Sequence, residues 1–577
     1  MSADVVPAIH PAKARATVQV YLADGRVLEG PRGAPLSAFF ADPETSPAPV
    51  VGAIVNGELR ELNFPLEMDA RLRPVTMGEA DGMRIYRRSL TFLLAAAFEE
   101  LYPGAWLTVD HSVSSGGYFC QVGGRGPLSQ DELAGLESAM RASVERDEPF
   151  VKLQVPLEEA IAHFRSRGYQ DKVRLLSHRR KPYLVLYALR DHRDYHHGYM
   201  VPSTGYLRWF GLARTGDGFT LRFPRRFQPA RLQPMPEYPK LLATFRQYGD
   251  WLSRLGISYA GALNDAIAEN RAGQVVLVSE ALHERRIADI AGQIADRLGQ
   301  TRLVLIAGPS ASGKTTFSKR LAIQLLALGI APLPIELDNY FVDREATPKD
   351  ETGQFDYESI GALDLSRLNG DLRRLIEGEA VRQPHYNFKQ GRSEEGDTVS
   401  LGPDQVLLLE GIHGLNPALV PEIPADQTFR VYVSALTQLN LDRYNRVSTT
   451  DTRLIRRVVR DASTRGYVAA ETIGRWESVR RGEKRNIFPY QENADVMFNS
   501  ALVYEASALA PLAEPLLRQV AFGSTEHVEA KRLLAFLEWF LPLDAGLIPD
   551  NSILREFVGG SILKDFVPWT APSGGVA

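Results

Sequence analysis

Residues 304–321 read VLIAGPSASGKTTFSKRL. With Arg302 and Leu303 in front, RLVLIAG is a continuous apolar run of the kind that forms a strand buried on both faces, and TTFSKRL opens a helix. Between them Gly308, Gly313, Lys314 and Thr315 fit G-x-x-x-x-G-K-[ST]. Glycines at this spacing let backbone N–H groups curl around phosphate oxygens, and the helix N-terminus adds positive potential. Lys314 can then reach the β- and γ-phosphates, while the Thr315 hydroxyl can ligate Mg²⁺. Gly308, Pro309, Ser310, Ala311, Ser312, Gly313, Lys314, Thr315 and Thr316 are therefore the expected ATP-binding residues. The loop alone specifies a nucleotide; the residues around it separate ATPase, GTPase and kinase.

Working outward, APLPIEL (331–337) and QVLLLEG (405–411) read as strands, and TTFSKRLAIQLLALG and DLSRLNGDLRRLIEG as helices. This alternation predicts a parallel α/β sheet, which places its ligands at the carboxyl edge of the strands. Asp338, in LDNYF, and Glu410 both fall at that edge. A glutamate there can hold Mg²⁺ or its waters, and Asp338 can accept the proton of an attacking hydroxyl. Further on, TRLIRRVVRDASTRG (452–466) carries Arg453, Arg456, Arg457, Arg460 and Arg465. The first four share one helix face, a stripe able to close over transferring phosphates.

The 577 residues exceed what one hydrophobic core usually supports, so a multidomain chain is expected. Residues 1–15, rich in Ala and Pro, read as a loose tail. Residues 16–77 are strand-rich and β-grasp-sized, with hairpins turning at Asp24-Gly25 and Asn56-Gly57. Residues 78–225 read as α+β, with helices over Ile85–Leu101, Gln130–Glu148 and Leu157–Arg167 and a strand over Trp106–Val122. A helical connector over 226–298, the phosphate-loop segment over 299–515 and a helical tail over 516–577 complete the chain. The net charge of -4 implies no general affinity for nucleic acid or anionic membrane. The single cysteine, Cys120, excludes an intrachain disulfide framework and reads as a small buried hydrophobe. No apolar run of 18 or more residues suggests a membrane span, and the N-terminus lacks a signal-peptide core, so a cytoplasmic protein is expected.

The motifs GPSASGKTTF, LDNYF, FDYESIGALDL, PHYNF, VLLLEGIHGLNP, RLIRRVVRD followed by RG, and DVMFNS resemble, in order and spacing, the uridine kinase and phosphoribulokinase family. The resemblance implies a Mg²⁺- and ATP-dependent kinase acting on the 5′-hydroxyl of a nucleoside, uridine or cytidine in the first place. It implies that Asp338 is the base and that Thr315, Asp338 and Glu410 surround Mg²⁺. Asp356 matches a carboxylate that binds ribose hydroxyls, Tyr386 an aromatic against the base and Arg453 a substrate-binding arginine, with Phe341 beside them. Lys314, Arg456 and Arg465 match catalytic positions, the two arginines in the phosphate-side lid. Two positions depart from the pyrimidine kinases: their base-reading histidine corresponds to Gly391 and a base-contacting glutamine lies near Glu471. Another nucleoside or a sugar-like acceptor is therefore the alternative.

The first 225 residues resemble a different family. ADGRVLEG, VNGELREL, GMRIYRRSLTFLLAAAFEELYPGAWLT, RDEPFVKLQVPLEEAIAHFRSRG and VPSTGYL follow the TGS domain and editing-type domain of threonyl-tRNA synthetase. The editing chemistry of that family uses H-x-x-x-H and C-x-x-x-H; the matching positions here are Arg88 and Phe92, then His196 and Met200. Phe and Met cannot move protons, so editing is expected to be absent. His192, His196 and His197 cluster locally without a matching cysteine or carboxylate, and packing is their expected role. What the resemblance leaves is a cleft open to an adenosine-like end, a small ligand or a partner, and a regulatory protein that binds tRNA or a nucleotide is the alternative to an enzyme. The near-neutral charge disfavours tRNA, and a homo-oligomer is left open.

Overall fold

The computed structural model describes residues 14–40, 48–113, 116–351 and 353–568. All but the last two residues of the expected N-terminal tail lie outside them.

The front of the chain folds as a mixed five-stranded sheet in the order Val27–Pro31, Thr17–Leu22, Ala70–Thr76, Val50–Val55, Glu58–Arg60. Thr17–Leu22 and Ala70–Thr76 pair in parallel, and both expected hairpins form. Alternation puts Val18, Val20, Ala53 and Leu72 on the covered face. The helix Ala80–Leu101 comes next, buried over most of its length.

Residues 106–123 form two strands, Trp106–Val113 and Gly117–Gly123, where one was expected. Gly116, with φ near +100°, breaks the run, and the two arms pair antiparallel in a four-stranded sheet with Gly218–Arg222 and Gly211–Thr215. The helix from Gln130 stops at Glu145, three residues early, because Asp147 takes a left-handed conformation. A three-stranded antiparallel sheet, His192–Asp194, Tyr183–Leu189 and Val151–Pro156, completes this region.

The helices Pro239–Leu255, Ala260–Ala268 and Ala272–Ala295 run between front and back. Tyr248 Oη donates to the Ala501 carbonyl at 2.7 Å, and Arg320 pairs with Glu280 at 3.4 Å, so these helices brace the C-terminal half. The expected α/β sheet is present and wholly parallel: Ala331–Glu336, Gln405–Glu410, Leu303–Ala307, Thr428–Ser434, Val496–Asn499. Glu336 lies opposite Glu410 and Ile306 opposite Glu410 in register, so three strands end together. A hairpin, Val381–Asn387 with Arg392–Val399, stands beside this edge.

One apolar cluster runs from Phe164 through Leu263, Phe317 and Leu454 to Phe557 and joins front to back. At the junction Lys172 is fully buried, its Nζ 2.9 Å from Asp194 Oδ1 and 3.1 Å from Asp442 Oδ1. The end of the chain is less helical than expected. After Thr525–Leu537 the described residues continue mostly as turns, with short helical stretches at Ala545–Leu547 and Arg555–Val558. Among the described residues no helix is long and apolar enough to cross a membrane.

Candidate functional site

The phosphate loop leaves the strand Leu303–Ala307 and enters the helix Lys314–Ala327. A side chain at Gly308 is impossible: its Cβ would lie 1.9 Å from the Val433 carbonyl oxygen. Ala311 and Gly313 both have positive φ, +57° and +86°, which turns the backbone into the concave form a phosphate requires.

Glu410 stands across from the helix start. Thr315 Oγ1 donates to Glu410 Oε2 at 3.1 Å, and Lys314 Nζ lies 3.8 Å from Glu410 Oε1. Burial pushes the Glu410 carboxyl up to about 7; Lys314 opposes the shift, and Asp338 and Glu556 add to it. Asp338 sits on the turn Leu337–Tyr340 directly after a strand end. Burial raises its carboxyl too, with Lys314 and Arg465 pulling the other way. Thr315, Lys314, Asp338 and Glu410 are thus brought together as expected.

The expected acceptor side is also contiguous. Phe341 meets Tyr386 edge-on at 5.6 Å and Tyr357 at 5.7 Å, and Tyr386 meets Phe388 at 5.0 Å. Tyr386 Oη is buried beside Tyr357. Asp356 Oδ2 accepts from Arg485 at 3.3 Å. At Gly391 φ is +72°, and an added Cβ would meet the Arg344 guanidinium at 2.7 Å, so a side chain there would be strained and would displace Arg344. Glu471 accepts from the Val468 N–H at the start of the helix Ala469–Asn486, a capping contact.

The arginines divide differently from the expected stripe. Arg453 and Arg456 are fully buried behind the loop and do not line its mouth. Arg453 pairs with Glu483 and donates to the Ser310 carbonyl at 2.8 Å; Arg456 pairs with Glu505 and donates to the Ser500 carbonyl at 2.8 Å. The apolar side of the helix Thr449–Arg460 is what packs here, and arginines at that spacing were drawn in as buried ion pairs. Arg457 reaches the Ser310 hydroxyl at 2.9 Å, while Arg465, past the helix on a five-residue π turn, stays half-exposed near Asp338.

Three carboxylates went unrecognised in the sequence. Glu483 Oε1 accepts from the Ser310 N–H at 3.1 Å. Glu358, with Lys314 and Asp338 among its electrostatic neighbours, is raised by burial to about 7, with Glu483 next in effect. Glu556 accepts from the Thr316 hydroxyl at 2.9 Å and from its N–H at 3.3 Å. Around it, Ile553 covers Gly313, and Lys319 donates to the carbonyls of Leu563 and Lys564, both at 2.8 Å. In sequence Glu483 reads as a solvated helix face and Glu556 lies 240 residues from its partner.

The donors present suit a hard cation: a hydroxyl and carboxylate oxygens beside a phosphate loop. Among the described residues no three His, Cys, Asp or Glu side chains gather as a metal cage, so Mg²⁺ here would take its remaining ligands from phosphate and water.

In the front half the four editing-related positions converge, and three of them are filled by packing. Phe92 meets His192 at 4.8 Å and His196 at 5.6 Å, and Met200 is buried in the same cluster. Arg88 donates to the Tyr199 carbonyl at 2.5 Å. His192 pairs with Glu99 at 2.9 Å, and His197 accepts from Trp539 Nε1 at 3.2 Å. Burial holds His196 well below the usual histidine range.

Comparison with known proteins divides the chain in the same way. Residues 303–505 match the Phosphoribulokinase / Uridine kinase family, a kinase fold that supports nucleotide-dependent phosphoryl transfer. The N-terminal region is similar to threonine–tRNA ligases. That of Polaromonas naphthalenivorans is 32% identical over 170 residues, which are 29% of this chain and 27% of the ligase. That of Polaromonas sp. JS666 is 29% identical over 204 residues, 35% of this chain and 32% of the ligase. The chain thus spans about a third or less of the ligases it matches. A solved structure described as a possible uridine kinase from Bacillus stearothermophilus aligns at 19% identity over 36% of this chain and 99% of its own, with a TM-score of 0.24.

Proposed function

We propose that this chain, whose residues 303–505 match the phosphoribulokinase and uridine kinase family, is a kinase that transfers the γ-phosphoryl group of ATP to a hydroxyl of a small acceptor. The observation that carries the reading is the meeting of Thr315, Lys314, Glu410 and Asp338 at one end of the parallel sheet. Loop amides and Lys314 hold the phosphates, and Asp338 takes the acceptor proton as the oxygen attacks. Mg²⁺, held by Thr315 and by Glu410 and Asp338 directly or through water, would neutralise charge on the phosphates. Asp356 orients the acceptor hydroxyls, the Phe341–Tyr386 cluster receives its flat part, and Arg465 supplies the mobile positive charge. Arg453 and Arg456 act by fixing the loop from behind. In this reading 16–77 and 78–225 are synthetase-like modules, 226–298 a connector, 299–515 the kinase and 516–577 a tail.

The family resemblance favours the 5′-hydroxyl of uridine or cytidine as acceptor. Gly391 favours a second reading, another nucleoside or a sugar-like acceptor, because the position matched to the base-reading histidine holds a glycine in a left-handed conformation and offers no polar contact to a base. An ATP-coupled screen over nucleosides and pentose phosphates tests both. ADP release with no dependence on any acceptor in the panel overturns the kinase reading, whereas turnover only of a non-pyrimidine acceptor selects the second.

A further inference from the structure

Between the helix Ala80–Leu101, residues 223–241 and the helices Thr449–Arg460 and Ala469–Asn486 lies a half-enclosed cavity of 580 Å³. None of the loop residues 308–316 lines it, nor do Asp338, Asp356 or Glu410. Its size lies within the range of cavities that hold metabolite-sized ligands.

The lining is unusually cationic. Arg87, Arg88, Arg225, Arg446 and Lys484 all face it, and among the described residues none of the five pairs with a carboxylate. The two carboxylates in the wall are engaged: Asp451 by Arg532 at 2.7 Å and Glu477 by Arg226 at 2.6 Å. Arg87 Nε, Arg446 Nε and His196 Nε2 are buried and have no hydrogen-bond partner among the described residues. Burial drives the Arg87 and Arg88 guanidiniums down to about 10, a sign of charge held without compensation. Buried donors are ordinarily satisfied and buried charges paired, so this wall calls for a counter-charge that the described residues do not supply. Flat rings stand among the cations. Arg87 lies over Phe223 at 4.6 Å and Arg446 over Tyr118 at 5.2 Å, with Trp476 in the same wall.

We propose that this cavity is a second ligand site, distinct from the phosphate loop, which binds a small molecule carrying two or more phosphate groups, of the nucleoside polyphosphate class. Five cations without a carboxylate partner among the described residues exceed what one phosphate neutralises, and flat guanidinium groups beside rings suit a planar base. A nucleic-acid end shares part of this chemistry, but the chain's net charge of -4 gives no general attraction for the rest of the strand. The site also adjoins the loop by one route. Arg453 and Arg480 of its wall both pair with Glu483, which accepts from Ser310 N–H.

The test uses the full chain carrying Lys314→Ala, which disables the loop, and titrates it calorimetrically with inorganic tripolyphosphate. The expected result is one site per chain whose affinity falls as salt rises. Arg225→Ala with Lys484→Ala, both near the rim, should weaken it at least tenfold in the same background; Arg87→Ala with Arg446→Ala should abolish it. A circular-dichroism melt identifies any variant that fails to fold, and the rim pair then decides. No binding to the Lys314→Ala chain, or binding unaffected by the rim pair, overturns the proposal. So does displacement of tripolyphosphate by tRNA with no displacement by CTP or GTP, which assigns the cavity to a nucleic-acid end.

Discussion

Burial raises the Asp338 carboxyl and nearby Lys314 opposes the rise, at the strand end where, in the proposed reaction, the attacking oxygen loses its proton. Asp338→Asn keeps the loop intact, so ATP affinity should stay within about threefold while the transfer rate falls by about 10²–10⁴, read by pre-steady-state ADP formation. Glu358 offers a pH test. Its carboxyl keeps its proton in the folded chain up to about 7, whereas the ordinary value is 4.5. Between those values the folded state binds more protons than the unfolded state. Stability therefore falls as pH rises through that window, and Glu410 adds the same slope. Glu358→Gln should flatten the decline by up to about 3 kcal/mol, measured as urea midpoints from pH 4.5 to 7.5. Glu358 stands within the motif FDYESIGALDL, yet its burial depends on Gly482, across the cleft, leaving room for it. Asp338 and Glu410 were legible because position at a strand end is a local property. Glu358, Glu483 and Glu556 were not, because their partners are set by packing between distant segments.

At the scale of elements, the parallel sheet and its loop were readable from continuous apolar runs, and the hairpins from Asp-Gly and Asn-Gly turns. The arginine helix was readable as a helix but not by face. Its spacing fits a solvent-facing stripe as well as a buried one, and only the positions of Glu483 and Glu505 decide which arginines are taken inside. The segment 549–566 falls within the expected helical tail, yet it runs mostly as turns across the loop. A carboxylate at Thr316 N–H and O–H occupies donors that an incoming phosphate would use. Glu556→Gln should therefore tighten ATP binding by about 3–10-fold, about 1 kcal/mol, by calorimetry at fixed Mg²⁺. Unchanged or weaker binding would show that the phosphates do not meet that side chain.

For the molecule as a whole, the shared apolar cluster and the buried Lys172–Asp194–Asp442 group couple the synthetase-like front to the kinase-like back. Asp442 is held down at about 2, chiefly because Lys172 and the Tyr195 hydroxyl outweigh the cost of its burial. Asp442→Ala leaves Lys172 short of one partner in a closed interior and should cost about 3–5 kcal/mol, measured by urea unfolding. Scanning calorimetry of the intact chain should show one dominant transition, since few boundaries remain at which front and back could melt apart. The order of modules along the chain was visible in sequence; their fusion into one core was not, because it rests on pairs such as Lys172 with Asp442, 270 residues apart.

The last long helix reaches back to the front of the chain: Lys531 Nζ lies 2.5 Å from Glu58 Oε1 in the first sheet, and Glu529 holds Arg84 of the helix Ala80–Leu101 at 2.9 Å. During synthesis this contact becomes available only late. A ribosome that has finished residue 225 must still add about 300 residues, about 15–60 s of elongation, before that helix emerges. Throughout that interval the front sheets present a docking face with nothing on it, and a nascent chain stalled there offers folding helpers and proteases a surface that the finished molecule hides.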